Sequence, residues 1–162
     1  MMDVLQTKYV PLIRVQAIKE RFVPYGDEEN IDNPQKVARM VSRLLKNADR
    51  EYLLVISVDA NSKPVGIEVV AVGSLNVVYV EAREVFKHAI LSNASGIIMV
   101  HNHPSGTVTP SSADFKATKR MMKAGEIIGI ELLDHIIIGE DELFLNLKST
   151  GEWEEMKNGS TN

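Results

Sequence analysis

The 162-residue chain contains no cysteine. That absence removes thiol nucleophiles, iron–sulfur clusters and zinc sites built on thiolates, the Cys-ligated zinc deaminases included. It also fits a reducing compartment. An excess of positive charge is missing too: 18 Lys and Arg stand against 22 Asp and Glu, a net charge of −4 with a pI near 5.6. Whole-chain electrostatics therefore do not mark a polyanion binder. The distribution is uneven, with four cations against six anions in residues 1–33, twelve against ten in 34–139 and two against six in 140–162. No run approaches the ~20 apolar residues of a membrane span. The first fifteen residues carry Asp3, Lys8 and Arg14 and no apolar stretch of signal-peptide length. A soluble cytoplasmic protein without a membrane partner is the expectation. Internal repeats are absent, and the chain is too short for a (β/α)8 barrel of ~250 residues.

What is present reads as one domain between two flanking segments. Residues 1–33 look like an arm, with Tyr9–Val15 a candidate strand and Tyr25–Asn30 a polar loop. From Asn33 the pattern sharpens. Asn33 before Pro34 is a helix start, and Val37, Met40, Val41, Leu44 and Leu45 give an amphipathic helix ending near Asn47. Tyr52–Val58 and Val65–Val72 read as an antiparallel pair across an Asp59–Pro64 turn, with Val77–Val80 a short third strand. Ala82–Asn93 returns to helical spacing. The apolar run Ile97–Val100 is a buried strand. A helix follows from Pro110-Ser111 to Ala124, closed by Gly125, then strands over Glu131–Ile138 and Leu143–Leu147. Alternating helices and strands with hairpins among them predict an α/β (α+β) fold, one mixed sheet flanked by helices. Residues 34–150 would form the domain and 151–162 a flexible tail.

Chemistry concentrates in His101-Asn102-His103-Pro104-Ser105-Gly106 and Pro110-Ser111-Ser112-Ala113-Asp114. Residues two apart on an extended chain face the same way, so both imidazoles reach one point at the strand end. Asp114 lies in the first turn of the next helix, where it also completes a capping box with Ser111. Two neutral imidazoles and a carboxylate leave a fourth tetrahedral position open, as catalytic zinc sites do. One Zn2+ per chain on His101, His103 and Asp114 is the expectation.

His-x-His, seven residues, then Ser-x-x-Asp resembles the JAMM motif of JAB/MPN-domain metallopeptidases. The wording His-Asn-His-Pro-Ser-Gly, with Leu-Leu-Asp-His-Ile-Ile-Ile-Gly at 132–139, Arg83–Lys87 and Asn93-Ala94, resembles the RadC branch of that family over about residues 34–150. The helix-hairpin-helix segment of longer RadC proteins has no counterpart here. The resemblance implies a JAB/MPN (cytidine deaminase-like) sandwich and metal-assisted cleavage of an amide or isopeptide bond in a peptide or protein. It implies an upstream glutamate as general base and Ser111 as a donor to the oxyanion. Glu51, which opens the first strand after the first helix, is the first choice as base; Glu68, Glu81 and Glu84 are the others.

Asp134 and His135 are candidates to support the metal ligands from behind, although a buried histidine sharing a face with Leu133 and Ile137 can equally be packing. His88 reads as structural. Lys116, Lys119, Arg120 and Lys123 fall at helical spacing beside Asp114. They could contact phosphates or be a solvated face. A DNA-repair accessory that binds DNA, and an interaction module with a degenerate site, are the alternatives to a hydrolase.

Overall fold

The computed structural model describes residues 9–25, 30–45, 48–73, 80–141 and 143–159. Its elements run α1 (Pro34–Leu45), β1 (Tyr52–Val58), β2 (Pro64–Val72), α2 (Ala82–Leu91), β3 (Gly96–Asn102), α3 (Ser112–Ile128), β4 (Glu131–Ile138), β5 (Phe144–Asn146), a 3-10 turn (Leu147–Ser149) and α4 (Gly151–Asn158). The strands form one sheet in the order β2-β1-β3-β4-β5. β3 pairs antiparallel with β1 and parallel with β4, and β2 and β5 add antiparallel edges. The mixed α/β sheet expected from the sequence is the one observed.

β3 is central, and every one of its residues is buried, because helices cover both faces of the sheet. α1 packs alone on one face, its Val37, Met40, Val41 and Leu45 meeting Leu54, Ile56, Val100 and Ile136. Asn33 starts it as predicted, its side-chain oxygen accepting from the Lys36 N–H at 3.0 Å. The opposite face carries α2, α3 and α4 over Leu53, Val55, Met99 and Ile137. Fully burying a side chain of the size of Phe86 or Met121 stabilises by about 1.5–3 kcal/mol, and both lie in this layer.

Several expectations need correction. Residues 151–162 were expected as a tail, yet 151–158 are helical, with Trp153 and Met156 buried in the core. The domain also begins earlier than residue 34: Ile31 is buried and donates its N–H to the Ser62 carbonyl at 2.9 Å. Tyr9–Val15 forms no strand; it runs exposed and irregular. Most of the expected strand at Val77–Val80 lies outside the described residues, as does most of the polar loop at 25–30.

α3 does not stop at Gly125 but reaches Ile128, where Gly129 caps it at φ 79°. Gly125 is glycine for another reason: a Cβ there would sit 2.4 Å from the Ile130 carbonyl oxygen. On β4 a register irregularity at Leu132/Asp134 turns Leu133 toward the α1 face, so it does not share the face of His135 and Ile137.

Candidate metal centre

β3 extends two residues beyond its apolar run, so His101 and Asn102 are still strand and His103 follows at its end. His101 takes the face of Leu53 and Met99, under α3. The chain then turns through Pro104–Gly106 and enters α3 with Asp114 in the first turn. His101 and Asp114 are almost wholly buried, while His103 is half-buried at the mouth.

The three side chains converge. His101 Nε2 lies 3.0 Å from His103 Nε2 and 3.2 Å from Asp114 Oδ1, and His103 Nε2 is 3.8 Å from Asp114 Oδ2. Ligand atoms on a tetrahedral zinc, at ~2.0–2.1 Å from the ion, stand about 3.3 Å apart. The two separations from His101 lie close to that spacing and the His103–Asp114 one is longer, and His101, His103 and Asp114 are a group that could bind a metal ion.

The hydrogen bonds behind these atoms agree. Nδ1 of His103 lies 3.0 Å from the Thr107 carbonyl. A carbonyl only accepts, so Nδ1 carries the proton and the Nε2 of the neutral ring is a bare lone pair. Nδ1 of His101 is engaged by His135 Nε2 at 2.8 Å, which leaves its Nε2 facing Asp114. Electron pairs from two rings and a carboxylate thus meet at one point, an arrangement that a cation or a proton must occupy. The donor set fits a divalent ion that accepts nitrogen and oxygen ligands.

Asp114 forms the expected capping box and also faces His101. Oδ2 accepts from the Ser111 N–H at 2.6 Å and from its hydroxyl at 2.7 Å, completing the capping box, while Oδ1 turns to His101. Burial alone would raise its pKa. When a proton on His101 Nε2 takes the place of a cation at that point, its hydrogen bond and charge, with the Ser111 bonds, outweigh burial and hold the carboxylate well below its usual range. The Ser111 hydroxyl proton points at Asp114 in this arrangement.

Glu51 is half-buried immediately before β1. Leu53 pairs with His101, and continuing that antiparallel register by two residues sets Glu51 across from His103. Asn102, between the two histidines, grips both neighbours of Glu51. Its Oδ1 accepts from the Tyr52 N–H at 2.8 Å, and its Nδ2 donates to the Arg50 carbonyl at 3.0 Å. Sequence reasoning passed over Asn102, whose only signal was its place inside the His-x-His.

The other glutamates fit less well. Glu68, on β2, pairs with Val55 of β1, in the cross-strand row of Met99 rather than His101. Glu81 is the N-cap residue of α2, and Glu84 is ion-paired with Lys87.

A model of the RadC-like JAB domain matches residues 31–152. The chain belongs to the RadC-like JAB family. Among similar proteins, a UPF0758 protein of Desulfitobacterium hafniense (strain DSM 10664 / DCB-2) is 46% identical over 121 residues, covering 75% of this chain and 53% of that protein. A UPF0758 protein of Clostridium kluyveri (strain ATCC 8527) is 38% identical over 148 residues, covering 90% of this chain and 64% of its own length. The chain thus spans between about half and two thirds of these relatives.

Within this RadC-like JAB domain the remaining candidates separate. His135 is fully buried behind His101. Burial above all, and then the neighbouring His101, push its pKa well below the ordinary imidazole value despite the opposing pull of Asp114. Asp134 Oδ1 instead accepts from the backbone N–H groups of His135 and Lys148. The basic residues of α3 do not form one free stripe: the Arg120 guanidinium donates to the Val80 carbonyl, and Lys119 Nζ approaches Gly159 at the end of α4. Lys116 and Lys123 are exposed. His88 is structural as expected, set 3.0 Å from Ser57 Oγ and stacked where a Cβ on Gly66 would fall. Among the described residues no helix is long and apolar enough to cross a membrane.

On the α1 side, His103 and Asn102 also border a groove of about 940 Å³ between Arg39 and Arg43 of α1 and Glu140 and Phe144 beyond β4.

Proposed function

We propose that this domain is a zinc-dependent hydrolase that cleaves an amide bond, isopeptides included, in a peptide or protein. The observation that supports the reading is the convergence of His101 Nε2, His103 Nε2 and the Asp114 carboxylate within 3.0–3.8 Å of one another. Those three residues would hold the ion, one per chain. When bound, zinc supplies Lewis acidity for a carbonyl oxygen and eases deprotonation of water at neutral pH.

The chain's own groups supply the proton path. The Glu51 carboxylate takes a proton from the attacking water and returns it to the nitrogen of the leaving amine as the carbon–nitrogen bond breaks. The Asn102 clamp on Arg50 and Tyr52 fixes the backbone that presents Glu51. The Ser111 hydroxyl, on an exposed residue at the helix start, turns from Asp114 to donate to the oxyanion. Asp114 keeps the Ser111 backbone N–H when it does so. The groove on the α1 side, which His103 borders, has the volume of a ligand site of ~300–1,000 Å³.

The test is metal content of protein purified without a chelating tag, beside His101→Ala and Asp114→Ala. About one zinc per chain in the wild type, lost in both variants, is expected. Amide and isopeptide substrates should then be cleaved by the wild type and not by Glu51→Gln. A wild type that takes up no added zinc refutes the reading.

A further inference from the structure

We infer that Thr118 and His135 form a positioning relay that holds the proton of His101 on Nδ1 and keeps Nε2 free for a divalent ion. The inference rests on the metal-centre reading above. It follows from proton counting along one chain of hydrogen bonds. The Thr118 hydroxyl lies 2.6 Å from the Asp114 backbone carbonyl. A carbonyl has no proton to offer, so the single hydroxyl proton of Thr118 goes there. Thr118 Oγ1 is therefore an acceptor toward its next neighbour, His135 Nδ1 at 2.7 Å, and that nitrogen must carry a proton.

A neutral His135 protonated at Nδ1 has a bare Nε2, which accepts across 2.8 Å from His101 Nδ1. The proton of His101 is thereby assigned to Nδ1. What remains on Nε2 is a lone pair, aimed at the point where His103 and Asp114 meet. A proton shifted one step anywhere along this line would place N–H on His101 Nε2 and cap the ligand atom. Thr118, His101 and His135 are all wholly buried, so no water can substitute for a member.

The relay starts and ends on one residue. Asp114 gives its carbonyl to Thr118 one helical turn later and its carboxylate to the metal centre. The first turn of α3 thus sets both a ligand and, through two side chains, the tautomer of another. Thr118 is a positioning residue in this scheme and touches no reacting atom.

The experiment compares wild type with Thr118→Val, which removes the hydroxyl at nearly constant shape, and with Thr118→Ser, which restores it. Zinc affinity is read by chelator competition, and the tautomers of His101 and His135 by long-range 1H–15N correlation in the zinc-loaded protein. Thr118→Val should bind zinc about 10–100-fold more weakly and lose the Nδ1–H pattern of His135. Thr118→Ser should recover both. His135→Leu should show the same loss, and His135→Gln, whose amide oxygen can accept from His101, should largely avoid it; this pair decides should Thr118→Val not fold. Zinc binding by wild type with unchanged affinity in folded Thr118→Val or His135→Leu overturns the relay, as does a proton on His135 Nε2. A wild type that binds no zinc overturns the metal-centre reading instead.

Discussion

Replacing Asn102 with alanine should unfasten the strand end that presents Glu51 without disturbing His101, His103 and Asp114. The side chain is buried and bonds two backbone groups on β1's approach: the Tyr52 N–H at 2.8 Å and the Arg50 carbonyl at 3.0 Å. Alanine supplies neither partner. A fully buried backbone group left unsatisfied costs ~1–3 kcal/mol; these two are part-buried, that of Arg50 on an exposed residue, so the pair amounts to roughly 2–4 kcal/mol. At ~2–4 °C per kcal/mol for a domain of this size, Tm should fall on the order of 10 °C. Hydrogen exchange localises the effect. The Tyr52 amide, protected in the wild type, should exchange far faster in Asn102→Ala, while the amides of α4 on the opposite face should slow or speed only with global stability. Zinc stoichiometry should stay at the wild-type value and amide hydrolysis should drop. An unchanged Tm, or a Tyr52 amide as protected as before, would show that the clamp does not hold the strand. Loss of zinc from a folded variant would show that Asn102 acts on the histidines beside it and not on Glu51.

Other consequences are open to direct measurement. Zinc at one hundred times its dissociation constant should stabilise the wild type by ~2.7 kcal/mol, a rise in Tm of roughly 5–10 °C, and His103→Ala should abolish the shift. Asp134 is pushed above its usual pKa by burial, against the opposing N–H bonds from Lys148 and His135. Its protonated form therefore favours the fold, a contribution complete below the unfolded pKa and lost as pH rises through the raised folded value. Asp134→Asn keeps an oxygen for both N–H donors, so at neutral pH its Tm should equal or exceed that of wild type, with the advantage vanishing toward about pH 4. Gly125→Ala drives a Cβ to 2.4 Å from the backbone oxygen of Ile130 and should fail to fold at 37 °C, whereas Gly151→Ala meets nothing within 4 Å. The latter should leave Tm unchanged or raise it, by ~0.4–1 kcal/mol of stability. Equal damage from both glycines would refute the packing explanation.

How much of this was legible beforehand depends on range. β1 and β4 could be bounded from their β-branched and apolar runs, and the start of α1 from Asn33-Pro34, because strand and cap signals are local. The grouping of His101, His103 and Asp114 was legible for the same reason: the two histidines share a strand face, and Asp114 advertises itself through the capping box. α4 was not, since Trp153 and Met156 are two apolar residues among Glu152, Glu154 and Glu155, and their spacing of three only gains meaning from the core they meet. Gly125 read as a stop because sequence cannot say that the chain turns back after α3 and lays the Ile130 carbonyl against it. Thr118 and Asn102 were silent for a deeper reason. Each acts through backbone groups that no residue type encodes, one a helical turn away and the other fifty residues away.

The centre is divided between two parts of the molecule with unequal tenacity. His101 belongs to the fully buried central strand, and with Asp114 it can separate only when the core opens. His103 hangs on the turn beyond the strand, held by the Thr107 carbonyl of an exposed loop. Regions of few buried contacts open locally long before the domain unfolds. An ion would therefore enter and leave by way of His103, with the inner pair waiting in place. Exchange of such an ion would be set by the breathing of a short loop, and its loss need not cost the fold.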